Sequence, residues 1–398
     1  MDMNTNICNI KVVGVGGGGG NAVNRMVAAG ITGVHFVAVN TDKQDLLKSN
    51  ADEIIQIGKE LTKGLGAGSN PDIGKAAAEE SKEEIIKMLQ GTNLLFITTG
   101  LGGGTGNGAA PVIARLAKEM GILTIGVVTK PFSFEGKNRA MNAERGMKEL
   151  REHVDSLVII PNEKLHTIFK KDISFVDAFR YADDVLRQAI QGVSEVISVT
   201  GFINLDFADV ATIMRGKGIA HMGIGRGRGA NKTIEAVRQA VTSQLLETSI
   251  EGATGILLNV TGGRDLTMSE VYEAADLVRD VADENCNVIF GANINNDITG
   301  ETLVTIIATG FEQNNKTEEP KPEFKDNRAD FKPFTTSVEE SIIEEVEEKE
   351  EVMPQSAPIF EEKQETQPKD IVEDISYASK HRFTSDDDIP PFLRKLRK

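Results

Sequence analysis

The sequence predicts an α/β protein: a parallel sheet, one long central helix, a smaller α+β unit and an acidic tail without a core. Three observations point there. From Ile10 to about Lys171, short β-branched runs alternate with amphipathic segments, the pattern of parallel strands covered on both faces by helices. One unbroken helical stretch follows before strand-like runs resume. After Glu312 the periodicity collapses into Glu-, Lys- and Pro-rich sequence too charged to fold alone.

The strand candidates of the first unit are IKVVGVG (10–16), VHFVAVN (34–40), NLLFITT (93–99), ILTIGVVT (122–129) and SLVIIP (156–161). Helical segments between them include AVNRMVAA, AAAEESKEEIIKMLQ and APVIARLAKEMG. The long helix has Ser174 as its expected N-cap and Gly201 as its stop, with Phe179, Leu186, Ile190, Val193 and Ile197 on one stripe. The second unit, from about Asn204 to Phe311, reads GILLNVTGG, SEVYEAADLVRDVAD, NVIFGANI and TLVTIIATGF.

At 398 residues the chain is long enough for two or three domains, and 40% hydrophobic content supports sizeable cores. A net charge of −16 argues against nucleic acid or an anionic membrane as general partners. Most of it sits in residues 316–380, with 19 acidic and 9 basic side chains, whereas residues 381–398 carry five basic and three acidic ones. Cys8 and Cys286 lie far apart without metal-ligand spacing, so the expected compartment is a reducing cytoplasm. MDMNTNICNIKVV does not read as a signal peptide, and no apolar run approaches the roughly 20 residues that span a bilayer.

Two glycine-rich stretches leave strands: GVGGGGGNAVNRM (14–26) and GLGGGTGNGAAP (100–111). Ordering a glycine costs roughly 0.5–1 kcal/mol relative to alanine in regular structure. Bare backbone at a helix start can close its N–H groups on an anion, and a flexible loop is the plainer alternative. Gly14, Gly16 and Gly19 satisfy G-x-G-x-x-G, and Asp42 lies near enough to the second strand to hold a ribose. On that loop alone an NAD-dependent oxidoreductase is an open reading. Two cradles at one sheet edge suit a nucleoside triphosphate better than a single pyrophosphate. With no G-x-x-x-x-G-K-[ST], the phosphates would rely on backbone amides, helix N-termini and a metal ion.

GGGTGNG resembles the signature of the tubulin superfamily, and its setting, GLGGGTGNGAAPVIARLAKE, resembles the FtsZ family of cell-division GTPases. VNTDKQ, GLGAGSNP, VTKPFSFEGKNR, IPNEKL, DAFRYADDVLRQAIQG, NLDFADV and ILLNVTGG agree in order, and DIPPFL resembles the family's terminal peptide. The resemblance implies a Rossmann-like tubulin/FtsZ GTPase fold that binds GTP with Mg²⁺. It assigns Gly17, Gly18, Gly19, Gly20 and Asn21 to the first phosphate loop, and Gly102, Gly103, Gly104, Thr105 and Gly106 to the second. Glu135 and Arg139 fall to the ribose and phosphates, although an i, i+4 pair read alone is a solvated helix salt bridge. Phe179 would pack on the purine, Asp183 would face it, and Asn162 would contact base or ribose. A carboxylate only accepts hydrogen bonds, which suits the two adjacent donors of guanine.

NLDFADV carries Asn204, Asp206 and Asp209. Two acids at a helix mouth read plainly as caps. The resemblance implies instead that this loop enters the nucleotide pocket of the next subunit, where its acids polarise the attacking water. Hydrolysis would then depend on head-to-tail assembly into filaments that form the mid-cell division ring. A tubulin-like scaffold with little hydrolysis is the alternative within the resemblance. Three departures stand out: Asn107 where Thr or Ser is usual, Gly20 where Asn is usual, and Arg226 and Arg228 in GIGRGRGANKTIEA, read as a solvated surface turn.

The implied organisation is an N-terminal extension (1–9), a GTP-binding domain (10–173), a central helix and connection (174–203), a polymerisation and GTPase-activating domain (204–315), a disordered acidic linker (316–380) and an adaptor-binding peptide (381–398). The linker has a root-mean-square reach of roughly 40–50 Å. Asp388, Ile389, Pro390, Phe392 and Leu393 would dock on division-protein adaptors, which makes membrane attachment indirect.

Overall fold

The computed structural model describes residues 8–164, 174–198, 206–242, 250, 252–282, 286–295 and 298–311. Asn204, Gly201 and the terminal peptide with Asp388, Ile389, Pro390, Phe392 and Leu393 lie outside the described residues.

The first half alternates as its sequence does. β1 (Ile10–Val15) runs straight into α1 (Gly16–Ala28), followed by β2 (His35–Asn40), α2 (Lys43–Leu46), β3 (Glu53–Gln56) and α3 (Lys59–Thr62). Next come α4 (Pro71–Glu80), α5 (Lys82–Leu89), β4 (Leu94–Gly100), α6 (Thr105–Glu119), β5 (Leu123–Lys130), α7 (Lys137–Arg151) and β6 (Ser156–Pro161). The strand order is β3-β2-β1-β4-β5-β6, all parallel, so the order reverses between β1 and β4. Crevices at such reversals are where open parallel sheets bind ligands.

The strands are buried on both faces. Val13, Val15, Leu95 and Ile97 pack under α4 to α7, while Val12, Leu94, Phe96 and Ile125 pack under α1 and the long helix α8 (Phe175–Ser198). Ser174 caps α8 as expected, its hydroxyl accepting from the Asp177 N–H at 3.1 Å. Leu186, Ile190 and Val193 are buried and Ile197 partly so, which makes that part of the predicted stripe core, whereas Phe179 at its head lies outside the core cluster. The run AAAEESKEEIIKMLQ is two helices rather than one. It breaks at Ser81, whose buried hydroxyl accepts from the Gly58 N–H at 3.1 Å.

The second half holds α9 (Phe207–Met214), β7 (Gly218–Arg228), α10 (Lys232–Val241), β8 (Gly255–Gly262), α11 (Met268–Val281), β9 (Asn287–Ile294) and β10 (Glu301–Thr309). β7 joins the halves into one ten-stranded sheet: it pairs parallel with β6 through Ser156–Val158 and antiparallel with β10. GIGRGRG is therefore a strand, not a surface turn. Its alternate glycines admit α10: a Cβ at Gly223, Gly225 or Gly227 would sit 1.9, 1.8 or 1.8 Å from a carbonyl oxygen of that helix. Arg226 and Arg228, on the other face, both pair with Glu301 across the ladder, at 2.8 and 3.1 Å. Among the described residues, no helix is long and apolar enough to cross a membrane.

Candidate functional site

Both glycine stretches leave strands beside the reversal point, and each opens a helix that lacks a cap. α1 starts at Gly16 and α6 at Thr105, and neither has a side chain bonded to its first amides or an acid in its first turn. Asp42, Asn70, Asp206 and Thr267 cap α2, α4, α9 and α11, each accepting from an N–H of the turn that follows, while α3, α5, α7 and α10 also start without a side-chain cap. What sets α1 and α6 apart is that their starts line one cavity. Helix starts carry amide donors without intrahelical partners, and two of them facing one space make a positive site for an anion.

That space is a cavity of about 370 Å³. α1 contributes Gly17, Gly18 and Asn21 to it, and the second loop Gly103, Gly104, Thr105 and Gly106. Three predicted contacts stand back from the lining. Gly19 is wedged behind, where a Cβ would lie 2.4 Å from the Thr98 carbonyl oxygen. Gly20 faces a smaller recess beside β2 with nothing within 4 Å of where its Cβ would be. Gly102 turns the chain at φ +102° against the Arg139 backbone.

The second loop is held by residues with no chemistry of their own. The Asn107 amide oxygen accepts from the Gly102 N–H at 2.8 Å, and its nitrogen donates to the Asn142 carbonyl on α7. Asn107 is thus a buried clamp, and Gly146 leaves room for it, since a Cβ there would lie 2.6 Å from the amide. The Thr105 hydroxyl bonds that of Thr41 at 2.7 Å.

Away from the helix starts the cavity changes character. Phe179 meets Phe132 and Phe134 edge-on, with centroids 5.3 and 6.4 Å apart, forming an aromatic rim suited to a flat ring. Asn162 is 4% exposed, and its side-chain oxygen has no hydrogen-bond partner. A buried acceptor without a donor costs about 1–3 kcal/mol, so a donor entering the cavity beside Asn162 would relieve that cost. Asp183 is 15% exposed, and its Oδ2 accepts from the Arg25 Nε at 2.8 Å. Burial pushes the Asp183 carboxyl above its ordinary range, and the Arg25 guanidinium offsets only part of that. Glu135 is bonded to Arg139 and accepts from the Phe132 N–H at 2.9 Å, so it fixes the rim as well as lining the cavity.

Asp206 and Asp209 do not line this cavity. They form a capping box at the exposed start of α9: the Asp209 N–H donates to Asp206 Oδ1 at 2.9 Å, and the Asp206 N–H to Asp209 Oδ2 at 3.1 Å. Asp42, the acid an NAD site would need, is spent as the cap of α2, accepting from Gln44 and Asp45 amides. Arg25 is the residue sequence reasoning missed. Its signal was position, one turn beyond Asn21 on the helix that the first loop opens.

A sheet that reverses its order between two bare helix starts defines the class, a nucleotide-binding α/β protein. Residues 9–170 match the Tubulin/FtsZ family, GTPase domain, and residues 218–312 the FtsZ family, C-terminal domain. An empty FtsZ dimer from M. jannaschii is 46% identical, with a TM-score of 0.74 over 77% of this chain and 89% of that one. CetZ2 from Haloferax volcanii, a GTPγS-bound protofilament, is 23% identical, with a TM-score of 0.66 over 78% of this chain and 95% of that one. CetZ1 from the same organism, a GDP-bound monomer, is 24% identical with a TM-score of 0.67 over 77% and 95% of the two chains; these two share the fold. The chain belongs to the FtsZ family, with a tubulin-like GTPase domain at residues 9–170.

Proposed function

We propose that this protein assembles head-to-tail on GTP and hydrolyses it at the junction, with one subunit supplying the cradle and the next the acids. The observation that carries the reading is a division of labour. The cavity has anion-binding helix starts, an aromatic rim and an orphaned acceptor, yet its two carboxylates, Glu135 and Asp183, are both engaged in ion pairs. The acids that the family resemblance assigns to catalysis stand elsewhere, at the exposed start of α9. A site completed by another copy needs a heterologous contact, and such contacts repeat into open filaments. The empty dimer and the GTPγS-bound protofilament among the similar structures support self-association.

In the bound state the α- to γ-phosphates would take the amides of Gly17, Gly18 and Gly103 to Gly106. Phe179 would stack on the base, and Asn162 would accept from the base or ribose. Asp206 and Asp209 each keep one oxygen outside the capping box, and these would polarise the attacking water. Mg²⁺ would neutralise phosphate charge. No cluster of three or more His, Cys, Asp or Glu among the described residues could hold a metal. This fits an ion held chiefly by phosphate oxygens and water. The cellular role we assign is the cytoplasmic division ring, with adaptors binding Asp388, Ile389, Pro390, Phe392 and Leu393.

Asp209→Asn tests the shared site. An asparagine oxygen still accepts from the Asp206 N–H, so the cap survives while the charge goes. Hydrolysis should fall by about 10²-fold or more with nucleotide affinity unchanged. If affinity fell with it, the acid would be acting inside its own subunit.

A further inference from the structure

Arg25 is the one charged side chain of α1, and it reaches across to α8 to bond Asp183. Other charges near α8 are committed elsewhere. Asp184 pairs with Arg187 at 2.7 Å and Asp177 with Arg180 at 3.3 Å on the same helix. Lys130, at the end of β5, pairs with Glu144 at 3.4 Å, while Glu135 and Arg139 pair with each other. β6 carries no charge.

We propose that Arg25 is the positioning residue that fixes guanine over adenine, by holding Asp183 as a carboxylate that only accepts hydrogen bonds. The inference rests on the reading of Asp183 as the base contact. The geometry allows both partners at once. A carboxylate offers about four lone-pair positions. Arg25 occupies one, at Oδ2, and does not itself line the cavity that Asp183 lines, so positions remain for the N1–H and 2-amino donors of guanine. Adenine presents one donor beside one acceptor, and against an ionised carboxylate that acceptor is repelled. A protonated Asp183 would reverse the preference: its O–H would donate to adenine N1 and its C=O would accept from the 6-amino group. Burial already favours that neutral form, and Arg25 is the charge that opposes it.

The test titrates nucleotide-free full-length protein with GDP and with ADP across the acid and neutral range, using diphosphates so that neither turnover nor GTP-driven assembly intrudes. In the native protein, preference for GDP should fade only toward acid. In Arg25→Met, the pH at which GDP affinity is half lost should move up by about 1–3 units, with ADP gaining over the same interval. Arg25→Lys, which restores the charge, should keep the native midpoint. If Arg25→Met weakened GDP and ADP in parallel with no change in pH profile, Arg25 would be merely structural and the proposal overturned. A midpoint in Arg25→Lys displaced as far as in Arg25→Met would overturn it equally. Asp183→Asn separates the two layers: unchanged GDP affinity in that variant would remove the base contact itself, whatever Arg25 does.

Discussion

Asn162 is a polar side chain held in the cavity wall at a cost to the fold. Its oxygen is buried in the wall of the cavity between α1 and α6 with no hydrogen-bond partner among the described residues, so the fold bears a desolvation cost with no internal return. Asn162→Ala should therefore leave the nucleotide-free protein within about 1 kcal/mol of native stability while weakening GDP by roughly 5- to 10-fold. Thermal unfolding and a binding titration together check it, and a large loss of stability with intact affinity would make Asn162 a framework residue. Asp183 works in the opposite electrostatic sense. Its folded pKa is raised above the unfolded value, so it holds more protons when folded, and this group favours folding increasingly as pH falls. On the proposed reading, nucleotide binding needs the ionised form and should weaken over the same acid interval.

At the scale of elements, what was legible followed from local period and composition, and what was hidden depended on tertiary contact. Five of the six strands of the first unit, the long helix and the apolar runs of the second were visible because β-branched runs and a helical stripe are written locally, while the short edge strand β3 (Glu53–Gln56) was not. β7 was not. Its alternate glycines imitate a turn, and they make sense only once α10 is seen lying on that face. The break at Ser81 was hidden for a related reason, since its hydroxyl answers Gly58, far away in sequence. The two glycine stretches were legible as strand exits that open helices, but not that Gly16 to Gly20 are already the first five residues of α1. Two glycine substitutions separate these roles. Gly225→Ala drives a Cβ to 1.8 Å from the Ala236 carbonyl oxygen and should cost about 3 kcal/mol or more, as overpacking of a fixed backbone does at its upper end. Gly20→Ala meets nothing within 4 Å and should stabilise by up to about 1 kcal/mol. Denaturant unfolding of the pair checks the contrast; similar effects at both positions would mean that packing against α10 is not what the β7 glycines serve.

Over the whole molecule, one continuous sheet ties the nucleotide half to the half that follows α9, through only three residue pairs between β6 and β7. Hydrogen bonds reinforce the joint: the Ser156 hydroxyl donates to the Met214 carbonyl at 2.6 Å, and the Thr309 hydroxyl to the Ile213 carbonyl at 2.7 Å. The end of α9 is thereby anchored to both halves, which gives the helix that carries Asp209 a rigid seat. A rigid seat is what a residue needs if it is to act on a neighbour's ligand rather than its own. The placement of those acids could be named from the sequence only by resemblance, because two carboxylates at a helix start look the same whether they cap or catalyse. In one chain they do cap. The decisive measurement is GTP turnover per subunit of the full-length protein across a wide dilution series. Turnover should be negligible when copies are isolated and climb steeply once they meet; a constant rate per molecule from the most dilute sample to the most concentrated would show that each copy carries a complete centre of its own.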